Sequence, residues 1–272
     1  MIYCRTLEKE FISKEAIFKA LKENEKKIIL IKCSNEYKSS DKGQYAYPNL
    51  TKLNNSEIKG VAFVKDDYIY PVINTTRYMD SHDDVHFDGI WTKSINEQTG
   101  KIFYVSNHIV SIDNVIAWPE NVNMKTALVD WALVGKNYAG QTEALIFEIA
   151  RKDVKKDNVL KAIDEKRPLT GSVRMRYVKM RMAINSEDPS YKENKAYFDE
   201  KINLIVNKEI AIELGYFFGV EEAKIIKEGS LELNPSNDAT KIIYNIEPPV
   251  MALNKPEPSK KTLNFKFMLN NL

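Results

Sequence analysis

The spacing of apolar and polar residues along the chain predicts a mixture of helices and strands. Near the N-terminus, apolar side chains recur three and four residues apart behind Ser13, a favoured N-cap residue, which predicts a helix. The run IILIKC after it is short, apolar and partly β-branched, and it predicts a buried strand. The polar stretch 34–57 contains Gly43 and Pro48 and predicts a loop, so a boundary is expected near residue 56.

The segment 56–135 has the pattern of β-structure. Short runs rich in β-branched and aromatic residues alternate with turn-forming residues, as is typical of strands. Four strands are expected there: IKGVAFV, YIYPVIN, KIFYVSNH and TALVDWALVG.

Helical spacing returns after this β-rich segment. QTEALIFEIARK and DNVLKAIDEKR predict two helices, and Pro168 ends the second. A longer helical stretch is expected across 191–218, before the strand AKIIKEGSLEL.

Between these helices, GSVRMRYVKMRMAI predicts one long strand. Its apolar parity changes at Tyr177 and Val178, which indicates a bulge or a strand that turns a barrel corner. Together with the helices, the strands predict an α+β fold.

Three regions are expected along the chain. Residues 1–55 form a helix–strand extension and a loop, and residues 56–247 form the main domain. Residues 248–272 hold four of the ten prolines and predict a tail or a partner-bound arm.

Composition narrows the function classes. Lys and Arg total 40 against 38 Asp and Glu, and they lie in mixed runs, so no nucleic-acid partner is expected. Neither a membrane-length apolar run nor the apolar core of a secretory signal is present in the sequence, so we expect a cytoplasmic protein without a membrane partner. Cys4 and Cys33 lack metal-ligand spacing and are expected to be small buried residues. No cofactor is expected.

The stretch DSHDDVH raises the question of a metal site. His82 and His86 are spaced as in the zinc-protease helix motif, with Asp83 where that motif has its glutamate. Histidines four residues apart converge only on a helix, whereas this segment follows β-branched and aromatic residues and Pro71. We therefore expect no metal here, and the plain alternative is a solvated acidic loop with two exposed histidines.

Three short stretches carry the residue types of acyl transfer. VSNH ends an apolar strand with His108, LTGSV begins a strand with Ser172, and EGSLE places Glu228, Ser230 and Glu232 on one face of a strand. Each alone fits ordinary structure: a capping histidine, a turn serine and a half-buried strand. Together they supply a base, a nucleophile and an orienting acid, whose order along the chain varies between folds.

In this order, the stretches resemble the prohead (head maturation) serine proteases of tailed bacteriophages, a family related in fold to herpesvirus assemblin. The resemblance covers residues 56–245 and implies a mostly antiparallel, assemblin-like β-barrel with surrounding helices. It also implies that SHDDVHFDG is a lead-in to the barrel. It is carried by IKGVAFV, by Asp84-Val85 before the pair Gly89 and Trp91, by VSNH, by LTGSV and by EGSL ending in Pro235-Ser236-Asn237.

The resemblance implies a serine endopeptidase mechanism. Ser172 would attack the scissile carbonyl, His108 would act as general base and then general acid, and Glu228 would orient the imidazole. Glu213 or Asp84 could orient His108 instead.

Two arginines share the strand of the expected nucleophile. Arg174 and Arg176 alternate with Met175 and should lie on the face of Ser172. They are candidate oxyanion or substrate contacts, and the alternative is that they are solvated strand charges.

The implied substrates are phage major capsid and scaffold proteins, with self-cleavage of the protease as a further possibility. The implied location is the host cytoplasm, inside the procapsid or virion, and a homodimer would fit the assemblin likeness. Two rivals remain open. One is a non-catalytic, capsid-associated virion protein that retains the protease fold, and the other is a zinc hydrolase built on His82 and His86.

Overall fold

The structure is a computed structural model that describes residues 1–34 and 65–243. Its α-helices are α1 (Lys14–Glu23), α2 (Glu25–Ser34), α3 (Thr92–Gln98), α4 (Asp157–Asp164), α5 (Lys192–Lys201) and α6 (Lys208–Leu214). Its strands are β1 (Ile2–Cys4), β2 (Lys9–Phe11), β3 (Tyr68–Ile69), β4 (Val72–Thr75), β5 (Asp84–His86), β6 (Phe103–Ser106), β7 (Val115–Ala117), β8 (Asn123–Asp130), β9 (Gln141–Ala150), β10 (Thr170–Ile184) and β11 (Tyr216–Glu232).

The strands form three open sheets. The largest has the order β10-β11-β6-β7, and β5 joins the edge of β11 that β6 also uses, nearer the start of β11. The second has the order β3-β9-β4, with β8 also paired to β9, and the third is the hairpin β1-β2. The fold is therefore mixed α+β, as expected. In the described ranges the sheets do not close on themselves, so a barrel stays a prediction.

The two larger sheets approach closely where β10 and β11 carry glycines. A Cβ atom on Gly171 would lie 2.1 Å from the carbonyl oxygen of Val72, and one on Gly229 would lie 2.6 Å from the ring of Phe147. Only glycine fits at these two positions. This face of β10 and β11 belongs to the core, so the opposite face is left for polar residues.

Several predicted elements are confirmed. Helix α1 begins behind Ser13, whose hydroxyl accepts a hydrogen bond from the Ala16 N–H at 3.2 Å. Strands β6 and β10 and helix α4 lie where the pattern placed them. The register of β10 against β11 shifts between Tyr177 and Lys179, which confirms the irregularity that the change of parity predicted.

The predicted strand IILIKC is wrong, because this segment is the helix α2. Helical spacing turns Ile28 and Lys32 towards the protein, whereas Leu30 and Ile31 are exposed. A six-residue apolar run does not distinguish a strand from one face of a helix. The ion pair of Lys32 with the buried carboxylate of Asp84 favours the helix.

The predicted helix QTEALIFEIARK is also wrong, because this segment is the strand β9. It lies inside its sheet, hydrogen-bonded to β8 on one side and to β3 and β4 on the other. The consecutive residues Ala144 to Phe147 are completely buried. Burial on both faces removes the alternation that would have indicated a strand.

The remaining segments differ in smaller ways. The expected helical stretch 191–218 is divided into α5 and α6, and Gly215 ends α6 in a left-handed conformation before β11 starts at Tyr216. IKGVAFV, the expected boundary near residue 56 and the Pro-rich tail lie outside the described residues. The N-terminal segment packs into the largest hydrophobic cluster through Phe18 and Leu21.

Candidate active site

A tight turn fixes His108 at the end of β6. The N–H of Ile109 donates to the carbonyl of Ser106 at 3.2 Å, and the two residues between them, Asn107 and His108, have φ of 57° and 53°. Asn and His tolerate this left-handed region better than most residues. Two successive positive φ angles define a turn of the I′ type, and such strained residues are concentrated at functional sites.

A bulge in β11 sets the position of Glu228. Val173 pairs with Gly229, but Met175 pairs with Ile225, so the three residues 226–228 lie opposite Arg174 alone. Lys227, inside this bulge, has φ of 67°. Glu228 ends this bulge and lies on the face of β11 that Ser230 and Glu232 share.

His108 and Glu228 form a buried pair. Nδ1 of His108 lies 2.8 Å from Oε1 of Glu228, and the two side chains are 5% and 0% exposed. A carboxylate only accepts hydrogen bonds, so Nδ1 carries the proton and Nε2 is left able to accept one. This is the tautomer that a general base needs when it takes a proton at Nε2.

The two other acids considered for this role lie elsewhere. Asp84 accepts hydrogen bonds from Lys32 and from Tyr177. Glu213 is exposed on α6. The structure therefore brings Glu228, and neither alternative, next to His108.

Arg174 joins the same pair. Its Nε donates to Oε1 of Glu228 at 2.9 Å, and its Nη2 donates to the carbonyl oxygen of His108 at 2.7 Å. Its side chain is 15% exposed. Arg176, two residues further along β10, is exposed. The two arginines that sequence reasoning treated alike thus have different surroundings.

Ser230 and Glu232 complete the surroundings of His108. The Ser230 hydroxyl accepts a hydrogen bond from the His108 N–H at 2.9 Å and donates to Oε1 of Glu232 at 2.6 Å. The same Glu232 oxygen lies 3.8 Å from Nε2 of His108. Burial raises the pKa of Glu232, although the Ser230 hydrogen bond and the nearby imidazole of His108 act in the opposite direction. The sequence placed both residues on the face of Glu228 but gave neither a role.

Ser172 lies on β10, next to the strand that carries Glu228, Ser230 and Glu232. It pairs with Ser230 across the two antiparallel strands, so the two side chains share a face, with Cβ atoms about 5 Å apart. Ser172 is 9% exposed, whereas Ser230 is fully buried. In the part of the chain that the structure describes, no hydrogen bond joins the Ser172 hydroxyl to His108. Contacts of this kind are often long in proteins without a bound substrate.

The stretch DSHDDVH is not the exposed loop that the plain alternative predicted. Asp84 to His86 form β5, parallel to the first part of β11, and Asp83, Asp84 and His86 are buried. Pairing with β11 draws this polar segment inside, where its side chains need partners.

A chain of hydrogen bonds satisfies Asp84 and His86. Trp91 Nε1 donates to Asn74 Oδ1 at 3.2 Å, and the Asn74 amide lies 3.0 Å from Nδ1 of His86. His86 Nε2 lies 3.4 Å from the Tyr177 hydroxyl, which donates to Asp84 at 2.9 Å. The Asn74 amide donates, so Nδ1 of His86 accepts and Nε2 carries its proton.

The series of hydrogen bonds ends at Asp84, which forms an ion pair with helix α2. Lys32 of α2 lies 2.5 Å from Asp84, and it also donates to the carbonyl of His82 at 3.1 Å. Burial lowers the pKa of His86 to about 4, whereas burial and the neighbouring Asp84 raise the pKa of Asp80. The contacts with Asn74 and Tyr177 thus engage both ring nitrogens of His86.

Neither a metal cluster nor a membrane helix is found in the described ranges. Across residues 1–34 and 65–243, no three His, Cys, Asp or Glu side chains are grouped so as to hold a metal ion. Among the helices of the same ranges, none is both long enough and apolar enough to cross a bilayer.

Comparisons of the chain with protein-family models, with curated proteins and with solved structures found no significant match.

Proposed function

We propose that the chain is a serine endopeptidase in which Ser172 is the nucleophile, His108 the general base and Glu228 the orienting acid. The observation that carries this proposal is the buried pair of His108 Nδ1 and Glu228 Oε1, 2.8 Å apart. It leaves Nε2 as the basic nitrogen, 3.8 Å from Oε1 of Glu232, a residue on the face of the sheet that Ser172 shares.

The proposed reaction follows from these positions. As a substrate carbonyl approaches, Ser172 Oγ attacks it while His108 Nε2 takes the hydroxyl proton, and the same nitrogen then protonates the leaving amine. Glu228 holds the ring and stabilises the imidazolium that forms. The acyl-enzyme is released by water through the same base.

The wider proposal rests on the resemblance to prohead proteases. The protein would act on major capsid and scaffold proteins inside the assembling head, in the host cytoplasm, and could cleave its own chain. An assemblin-like barrel and a homodimer belong to the same proposal. The open β10-β11-β6-β7 sheet is compatible with part of such a barrel.

Co-expression with capsid and scaffold proteins tests this proposal. Wild type and Ser172→Ala are each produced with these proteins, and every product is measured by intact mass. Fragments that appear only with wild type are the expected result, and their ends would identify the cleaved sequence. Identical, uncleaved masses in both mixtures would contradict it.

A second candidate function, that of a non-catalytic capsid-associated protein, is favoured by the contacts of the His108 side chain. Oε1 of Glu232 lies 3.8 Å from His108 Nε2, whereas Ser172 makes no hydrogen bond to His108 in the described part of the chain. A shell that carries many uncleaved copies of the chain would support this function. Loss of the chain after head maturation would oppose it.

A further inference from the structure

We propose that Arg174 is a positioning residue, which holds the Glu228 carboxylate and the His108 main chain together. This inference rests on the proposed function and deepens it. It replaces the expectation, drawn from strand parity alone, that Arg174 contacts the substrate or the oxyanion.

The first support is the way in which the guanidinium divides its donors. A side-on arginine–carboxylate pair uses two N–H groups on the two carboxylate oxygens. Here Nε of Arg174 donates to Oε1 of Glu228, while Nη2 donates to the carbonyl of His108. One planar group therefore fixes the distance between the acid and the main chain of the base.

The second support is the burial of Glu228. Its side chain has no exposed area, its Oε1 meets both His108 Nδ1 and Arg174, and within the described residues its Oε2 has no hydrogen-bond partner. A buried carboxylate requires an opposite charge or strong donors. Arg174 supplies a permanent positive charge next to Oε1 of Glu228, the oxygen that accepts the hydrogen bond from His108 Nδ1.

The third support is the conformation of His108. A residue held at φ of 53° needs its neighbours to compensate for the strain. The N–H of His108 is held by Ser230, and its carbonyl is held by Arg174. Both ends of the residue are thus fixed from the strands that carry Ser172 and Glu228.

The geometry also explains why an arginine occupies this position. The two acceptors, a carboxylate oxygen and a main-chain oxygen, lie at 2.9 and 2.7 Å from different nitrogens of one rigid fork. A lysine has one nitrogen on a flexible stem and cannot reproduce this spacing. Arg174→Lys should therefore preserve the charge but not the arrangement.

The test measures the Nδ1–H proton of His108 by NMR with ¹⁵N-histidine labelling. The chain has only three histidines, so His82→Gln and His86→Gln complete the assignment. In wild type we expect a strongly downfield, slowly exchanging Nδ1–H. In Arg174→Met and Arg174→Lys we expect its exchange with water to rise about tenfold or more, because the carboxylate is no longer held.

Arg181→Met is the matched control. Arg181 lies on the same strand, and its guanidinium is placed over the ring of Tyr197. Its removal deletes the same charge from β10 and should leave the Nδ1–H unchanged. An unchanged Nδ1–H in folded Arg174→Met would overturn the proposal. If Arg174→Met does not fold, an unchanged exchange rate of the Nδ1–H in Arg174→Lys would overturn the proposal in the same way.

This readout requires neither a substrate nor a reactive serine. A protein whose Ser172 proved inert would still show whether Arg174 holds Glu228 and His108, so failure of the proposed function and failure of this inference are distinguishable. Where Ser172 is reactive, labelling by a fluorophosphonate should slow about 10- to 100-fold in Arg174→Met, the loss that is typical when the hydrogen-bond partners of metal ligands are removed.

Discussion

Ser172 and Ser230 lie directly opposite each other on β10 and β11, and the hydroxyl of Ser230 is hydrogen-bonded to both His108 and Glu232. The Ser230 hydroxyl accepts from the main chain of His108 and donates to Glu232, whereas Ser172 retains some exposure. The two residues have the same chemistry and the same face of the sheet, but different roles follow. The Ser230 hydroxyl holds the turn that carries His108, and under the proposed function Ser172 is the nucleophile.

Ser230→Ala tests this division. We expect a loss of about 1 to 3 kcal/mol in the free energy of unfolding, because the buried His108 N–H and the Glu232 carboxylate lose a partner. Ser172→Ala should cost less, since the Ser172 hydroxyl makes no hydrogen bond within the described residues. Urea unfolding followed by circular dichroism measures both, and an equal cost for the two variants would contradict the assignment.

The two buried histidines should be opposite tautomers. His108 donates from Nδ1 to Glu228, whereas His86 accepts at Nδ1 from Asn74 and carries its proton on Nε2. The ¹⁵N chemical shifts of the ring nitrogens distinguish these forms in labelled protein at neutral pH. Finding the same tautomer at both positions would show that one of the two hydrogen-bond networks is misassigned.

Acid should destabilise the protein through His86. Its pKa is lowered to about 4 in the fold, so between its ordinary value and 4 the unfolded chain binds a proton that the folded protein does not. This contribution to stability is full above the ordinary value and is lost as the pH falls. The loss is about 3 kcal/mol at most.

The comparison with His86→Gln isolates this contribution. Both proteins are unfolded by urea at several pH values, and the difference in free energy of unfolding is plotted. It should be constant above neutral pH and should shrink as the pH falls towards 4. A constant difference over the whole range would show that His86 is not the responsible group.

The ion pair of Lys32 and Asp84 should be sensitive to the loss of one partner. Lys32→Met leaves the Asp84 carboxylate, which has no exposed area, without its cation, and we expect a cost of about 3 to 5 kcal/mol. The control is Lys195→Met, which breaks ion pairs with exposed Asp199 and Glu187 and should cost under about 1 kcal/mol. Thermal unfolding compares the two variants, and equal costs would contradict the buried role.

Gly171→Ala should be strongly destabilising. The added methyl group would meet the main chain of Val72 at 2.1 Å, and backbone cannot move aside as a side chain can. We expect a cost above about 2 kcal/mol. Gly100→Ala is the control, because it has open space but a positive φ, and should cost about 1 to 2 kcal/mol. A smaller cost at Gly171 than at Gly100 would contradict the close approach of the sheets.

The sequence predicted the elements of this site better than the contacts between them. The stretches VSNH, LTGSV and EGSLE led to the expectation that His108, Ser172 and Glu228 act together, and the structure brings His108 and Glu228 into contact. The bulge at Lys227 and the left-handed turn at His108 could not be derived, because both depend on the pairing of distant strands.

The errors in the fold have the same origin. IILIKC and QTEALIFEIARK have local patterns that fit either helix or strand, and only their partners decide. Lys32 becomes buried because Asp84 is there, and β9 becomes a strand because β4 and β8 lie on either side of it. The distinction between Arg174 and Arg176 likewise depends on the bulge in the partner strand.

The reactivity of Ser172 is the most direct test of the central proposal. The full chain is treated with a fluorophosphonate, and the labelled peptide is identified by mass spectrometry in wild type, Ser172→Ala and His108→Gln. We expect one adduct, on Ser172, that is absent from Ser172→Ala and strongly reduced in His108→Gln. No adduct on Ser172 in folded wild type, or equal labelling of Ser172 in His108→Gln, would contradict it.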